Sequence, residues 1–173
     1  MIFVEKYHMR RQEKAIKSRK RMLDLIEQQQ HMTIAMCKGS KPYLVTINHS
    51  FDKEGMCLYF HCARKGKKVD FLKANPRVWG QVMKDDGYIE GECDYAYKTV
   101  MFSGTTEFVT DLEEKRRALD LMIDKLEKED PVGRKARSLT KEKLEKTLIC
   151  RIRVLGLSGK ERLRSDYNQR KRR

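Results

Sequence analysis

The chain is expected to be mainly β, a β-barrel with flanking α-helices, and three observations lead there. Short apolar segments of strand length recur along the middle of the chain, separated by turn residues rather than by helices. Helical patterns do not alternate with strands, which disfavours a parallel doubly wound sheet. No GxGxxG follows the first strand, so a Rossmann site has no support.

A helix is expected from about Arg11 to Gln30, where Ile16, Leu23 and Ile26 recur at helical spacing with Ala15 and Met22 alongside. Thr33 to Cys37 reads as a short strand, Gly39 to Pro42 as a turn, and Tyr43 to Asn48 as a second strand. Asp52 to Gly55 is a hairpin turn into a third strand, Met56 to His61. Lys67 to Ala74 is a short helix stopped by Pro76, and Arg77 to Met83 a fourth strand closed by a turn at Asp85–Gly87. A long strand region spans Tyr97 to Val109, with Gly104 marking a bulge or bend. Thr110 and Glu113 make a capping-box pattern ahead of the strongest helix, whose stripe of Leu119, Met122, Ile123 and Leu126 reads as core. Asp130–Pro131 ends that helix, residues 132–139 form a basic loop, and Thr140 to Lys146 make a helical turn. In the closing strand, Leu148 to Leu155, apolar residues alternate with Arg151 and Arg153. Tyr59, Phe60 and Trp79 read as core residues.

At 173 residues the chain fits one domain with a real core. Its boundaries are set at 1–160, followed by a flexible basic tail at 161–173. The charged fraction is 37%, yet aromatic and β-branched residues are too frequent for wholesale disorder. No apolar run approaches the ~20 residues needed to cross a bilayer, and Met1 to Val4 is followed directly by charge, so neither membrane nor secretory leader is expected. Five dispersed cysteines without a CxxC suit reduced thiols in a cytoplasmic protein, and four histidines show no metal spacing.

The net charge of +14 asks for an anionic partner, and residues 1–30, 64–68 and 160–173 hold +13 of it. The tail could make weak, non-specific contact with nucleic-acid phosphates. It contributes only Tyr167 as an aromatic, which counts against sequence-specific reading. The most informative segment is Leu58 to Lys68, with a helical pattern to Asn75 directly after it. An apolar strand ends at His61, then Arg64, Lys65, Lys67 and Lys68 crowd around Gly66 where the next helix begins. Unpaired N–H groups at a helix start, the helix dipole and neighbouring cations together suit a phosphate.

In this order, several blocks resemble the flavin-binding split-barrel proteins related to pyridoxamine 5′-phosphate oxidase, in the branch near the nitroimidazole-resistance proteins. The blocks are Met9 to Arg11, Tyr59 to Ala63, Gly66 to Lys68, Lys73 to Val78, Tyr97 to Val100 followed by Gly104, and Leu157 to Lys160. The resemblance covers about residues 9 to 160. It implies a homodimeric six-stranded split barrel with FMN at the subunit interface. Carried over position by position, Val45, Thr46, Ile47 and Asn48 would line the flavin ring. His61 would sit near the phosphate or the ring, and Arg64, Lys65, Lys67 and Lys68 would clamp the phosphate. Tyr97, Lys98 and Thr99 would approach the flavin from the other subunit. Lys98 is unusually basic for its block and could instead serve an anionic substrate or the flavin phosphate. The further arginine and histidine contacts to pyridoxamine phosphate are not identifiable around Arg162 and Arg164, so vitamin B6 is not the expected substrate.

The expected function is that of an FMN-binding oxidoreductase acting on an unassigned small molecule or electron donor. The flavin supplies hydride chemistry, and the protein orients and tunes it. His61 is the candidate for catalytic proton transfer. Cys62 reads as a packed thiol beside the cations. A deazaflavin-dependent reductase on the same fold, and a non-enzymatic flavin-, haem- or nucleic-acid-binding protein, are the alternatives.

Overall fold

A computed structural model describes residues 9–127 and 140–164. The basic loop expected at 132–139 and all but the first four residues of the expected tail lie outside these residues.

The N-terminal segment departs from the expected single helix. A 3₁₀ turn at Gln12–Lys14 gives way to extended chain, and α1 (Arg19–Gln28) begins only after Ser18. The Ser18 hydroxyl accepts from Arg21 N at 3.3 Å, a cap that starts a new helix there. Before it, Ile16 N donates to Gly159 O at 2.9 Å, so the segment lies along a strand and buries Ile16.

Then follow β1 (His31–Lys38), β2 (Lys41–Asn48), β3 (Ser50–Asp52), β4 (Cys57–Cys62) and α2 (Lys67–Ala74). Next come β5 (Arg77–Ile89), β6 (Asp94–Phe108), α3 (Leu112–Leu126), α4 (Lys141–Lys146) and β7 (Leu148–Arg162). Three expectations change. Asp85–Gly87 does not turn the chain: the pairing skips from Asp85↔Tyr97 to Tyr88↔Tyr95, a bulge inside a longer hairpin. Gly87 takes a φ of +87° there, and its N–H donates to Asp85 Oδ1 at 2.8 Å. The cap of α3 is Asp111, whose carboxylate accepts from Glu114 N at 2.8 Å, and not Thr110. The closing strand runs seven residues beyond Leu155, to Arg162.

The expected irregularity at Gly104 is present. Ser103 pairs with Gly156 and Gly104 with Val154, leaving Leu155 as the extra residue. A Cβ on Gly104 would stand 2.8 Å from Arg153 O, so glycine allows the two backbones to approach at the bulge.

Seven strands, one more than the six the resemblance implies because Ser50–Asp52 pairs as a short strand of its own, form one antiparallel sheet in the order β2-β1-β5-β6-β7-β4-β3, with flanking helices. Its two outermost strands, β2 and β3, are consecutive in the chain and separated only by His49. The sheet must therefore curl until its edges meet at that corner, which makes the barrel. Alternate residues point inward, and Ile34, Leu58, Phe60, Val82, Val100, Phe102 and Ile152 fill the interior with no exposure. Ile26 of α1 and Phe71 and Leu72 of α2 join this core. A smaller cluster lies under α3, where Ala118 and Met122 meet Cys57, Tyr59 and Ile149. Among the described residues no helix is long and apolar enough to cross a membrane.

Candidate cofactor-binding site

Three parts of the barrel carry the residues singled out in the sequence. The first is the corner between β4 and α2. β4 reads apolar on both faces because its core face packs in the barrel and its outer face packs under α3. The chain leaves it at Cys62 and enters α2 through Gly66, which sits at the N-cap with a φ of +135°. No side chain caps that helix start, so its first N–H groups and the positive end of its dipole are available to an anion. Arg64, Lys65 and Lys67 are exposed and Lys68 is half-buried. None of the four is ion-paired with a carboxylate of the described residues. Lys67 and Lys68 rest instead on aromatic faces. Lys67 Nζ lies 4.3 Å from the centre of the Tyr43 ring, and Lys68 Nζ lies 5.1 Å from that of Phe60.

The Tyr43 contact ties this corner to the second part, strand β2. β2 pairs with β1 alone, so its other edge has no ladder partner among the described residues. Val45 and Ile47 turn inward against the core, whereas Leu44, Thr46 and Asn48 face outward. A planar ligand laid along this edge would meet free backbone donors and acceptors.

The third part is the outer face of the sheet, which the sequence reading missed. Two of its cross-strand rows run Leu44–Ala35–Trp79–Ser103 and Thr46–Thr33–Gln81–Met101–Ser158. Neither row carries a charge, in a chain with 37% charged residues. Polar side chains within the face satisfy one another: Thr33 and Thr46 share a hydrogen bond of 2.8 Å, and Gln81 Nε2 donates to Thr99 Oγ1 at 3.0 Å. Trp79, expected in the core, belongs to this face and is 44% exposed. It pairs with Ala35 and Ser103, so the residues on either side of it in the sheet are too small to cover it. Leu44, at 63%, is the most exposed large apolar side chain among the described residues. A groove of about 820 Å³ opens here, between Trp79, Leu155, Pro42 and Arg77.

The remaining sites divide. Tyr97 and Thr99 lie on the outer face of β6, next to Arg162 and Lys160 of β7. Lys98, between them, points to the opposite face and lines a small pocket under α1 with Arg21, Lys84 and Glu161. The three consecutive residues therefore do not converge on one face. His61 is exposed at the end of β4, on the strand face opposite Phe60. Cys62 is half-buried, and burial raises its thiol pKa against the lowering effect of Lys68. That fits a packed thiol rather than a reactive one.

Comparison with known proteins agrees with this architecture. Similar solved structures include a 5-nitroimidazole antibiotic resistance protein of Bacteroides thetaiotaomicron, with a TM-score of 0.72 and 23% identity over 84% of this chain and 85% of the other. A FAD-binding protein of Mesorhizobium loti gives 0.60 and 22% over 84% and 95%. A flavocytochrome of Azotobacter vinelandii gives 0.74 and 17% over 90% and 72%. No curated protein matches the sequence. These likenesses establish the split-barrel fold. The sequence profile described as pyridoxamine 5′-phosphate oxidase matches residues 18–161, from the cap of α1 to the end of β7, and on that match the chain belongs to the pyridoxamine 5′-phosphate oxidase family.

Proposed function

We propose that this protein binds FMN and works as a flavin-dependent oxidoreductase, with two chains enclosing the cofactor between their outer sheet faces. The observation that carries the reading is the set of four cations around the uncapped start of α2, unmatched by any carboxylate of the described residues and joined to β2 through Tyr43. Such a corner fits a phosphoryl group. Lys67 and Lys68 would hold the phosphate, with Arg64 and Lys65 adding charge. The free edge of β2, from Val45 to Asn48, would bond the polar edge of the ring. Tyr97 and Thr99 would belong to the partner's half of the site, because they lie on the outer face through which the second chain docks.

The two uncharged rows of this face support a homodimer. Depletion of charge with exposed Trp and Met is the composition of a buried interface centre, and such a patch is costly to leave in water. A bound flavin supplies hydride transfer. The chain's own residues orient it, screen its ring from water, and offer His61 as an exposed imidazole at the rim of the cation cluster.

The test is a visible absorption spectrum of the purified protein after incubation with FMN and removal of free ligand. Oxidised flavin bands from a species with the sedimentation mass of a dimer are expected. A colourless monomer would sink the reading, and a haem or deazaflavin spectrum would replace the cofactor.

A further inference from the structure

The residue that joins β2 to β3, His49, is fully buried. Its Nε2 has two neighbours that make opposite demands. Ile26 O, at the end of α1, lies 3.0 Å away and can only accept a hydrogen bond. Lys125 Nζ, in the last turn of α3, lies 3.1 Å away, and as an ammonium it can only donate. One nitrogen cannot donate to the first and accept from the second. Lys125 Nζ is also 3.4 Å from Ile26 O, so the three atoms close a triangle that joins α1, the barrel corner and α3. Among the described residues the other ring nitrogen, Nδ1, is buried without a partner, as is the Ser50 hydroxyl that follows in the chain. Nothing on the Nδ1 side fixes the tautomer, which leaves Lys125 to decide it.

We propose that His49 and Lys125 form a two-position latch. With Lys125 as an ammonium, the ring proton sits on Nδ1, the ammonium donates to Nε2 and to Ile26 O, and α3 is fastened to the corner. With Lys125 as a neutral amine, the ring proton sits on Nε2, the ring itself donates to Ile26 O, and α3 loses its charged bond. The change releases one proton, from Lys125 to solvent; the imidazole keeps one proton throughout and only its position alters.

The surroundings place this change in an accessible range. Burial lowers Lys125 to about 8, and Glu27 of α1 opposes that shift. Glu27 is itself paired with Lys53 of the β3–β4 turn at 2.5 Å. Burial, and then the Lys125 charge, lower His49 to about 4, with His31 of β1 acting in the same direction and the bond to Ile26 O against it. The ring is therefore neutral wherever Lys125 titrates. Because the corner ends β2, the latch acts on the strand assigned to the flavin ring, and in that respect alone it rests on the flavin reading.

The test follows the ring ¹⁵N shifts of His49 in the flavin-free full chain from pH 6 to 10. The wild type is expected to pass from the Nδ1–H to the Nε2–H form with a midpoint near pH 8. Lys125→Arg, charged throughout, should stay Nδ1–H, and Lys125→Met should stay Nε2–H. A single tautomer across the range in the wild type overturns the latch, as does a transition that survives in both variants. A switching ring in a protein that binds no flavin would remove the flavin reading and leave the latch standing. A fixed ring in a flavin-loaded protein would remove the latch alone.

Discussion

Two regions of this molecule gather cations and treat them in opposite ways. On the side shared by β4, β7 and α3, positive charges are answered internally. Arg151 bonds both Glu107 and Glu114, and Glu114 also accepts from the Tyr59 hydroxyl at 3.0 Å. Arg117 reaches Asp52 at 2.9 Å. Lys115, buried by α4, donates to the carbonyls of Leu144, Glu145 and Thr147 at 3.0–3.4 Å, where the end of a helix favours a cation. At the β4–α2 corner, Arg64 and Lys65 are exposed, Lys67 and Lys68 lie over aromatic rings, and none of the four meets a carboxylate of the described residues. Matched charge fixes the position of α3 on the barrel. Unmatched charge adds nothing comparable to the fold, which leaves it available to a ligand.

That contrast can be broken most directly at the corner. Lys67→Ala combined with Lys68→Ala should weaken FMN binding at least ~100-fold, because each charge-assisted hydrogen bond contributes ~1.5–3 kcal/mol. The melting temperature should stay where it was. A fluorescence titration and a thermal melt read both, and a fall in melting temperature with unchanged affinity would assign these lysines to the fold.

The second effect is one of pH and falls on the buried β2–β3 corner, outside both regions. His49 is lowered to about 4 by burial, whereas an unfolded chain binds the proton near 6.5. Between those values the unfolded state holds more protons, so stability drops as pH falls through that window, by roughly 3 kcal/mol over its length. Denaturant midpoints measured from pH 7 to 4 should trace this limb, and His49→Gln should flatten it.

The third is smaller. Arg151→Met leaves Glu114 with the Tyr59 hydroxyl alone and should cost about 2 kcal/mol of stability. FMN affinity should be unaffected. If affinity fell instead, the two regions would not be independent.

Much of the barrel was legible because strands announce themselves by alternation, and turn residues separate them. Alternation gives a period but not a sense of inside. Trp79 has the right phase for one face of β5, and nothing local says that this face looks outward. The same period-two rule places Lys98 away from Tyr97 and Thr99; a carried-over block of three consecutive residues conceals that. The cap of α3 was misplaced by one residue because Thr110/Glu113 and Asp111/Glu114 offer the same local pattern. Distant partners decide between them, since Glu114 must reach Tyr59 and Arg151. The basic corner was legible because its charges are crowded in sequence as well as in space. The His49–Lys125 contact had no such signal, as 76 residues separate its members.

The one-residue step from β2 to β3 has a consequence for how this chain tolerates change. Neighbours along the polypeptide are at opposite ends of the sheet, so the seam of the barrel is sewn by a stitch with no slack. Lengthening it by even two or three residues would let the margins drift apart, whereas the β1–β2 hairpin, which turns at Gly39 and Ser40 on the exposed surface, has room for insertions. Evolutionary variation in length, and any engineered fusion, should therefore concentrate at that hairpin and avoid the stitch.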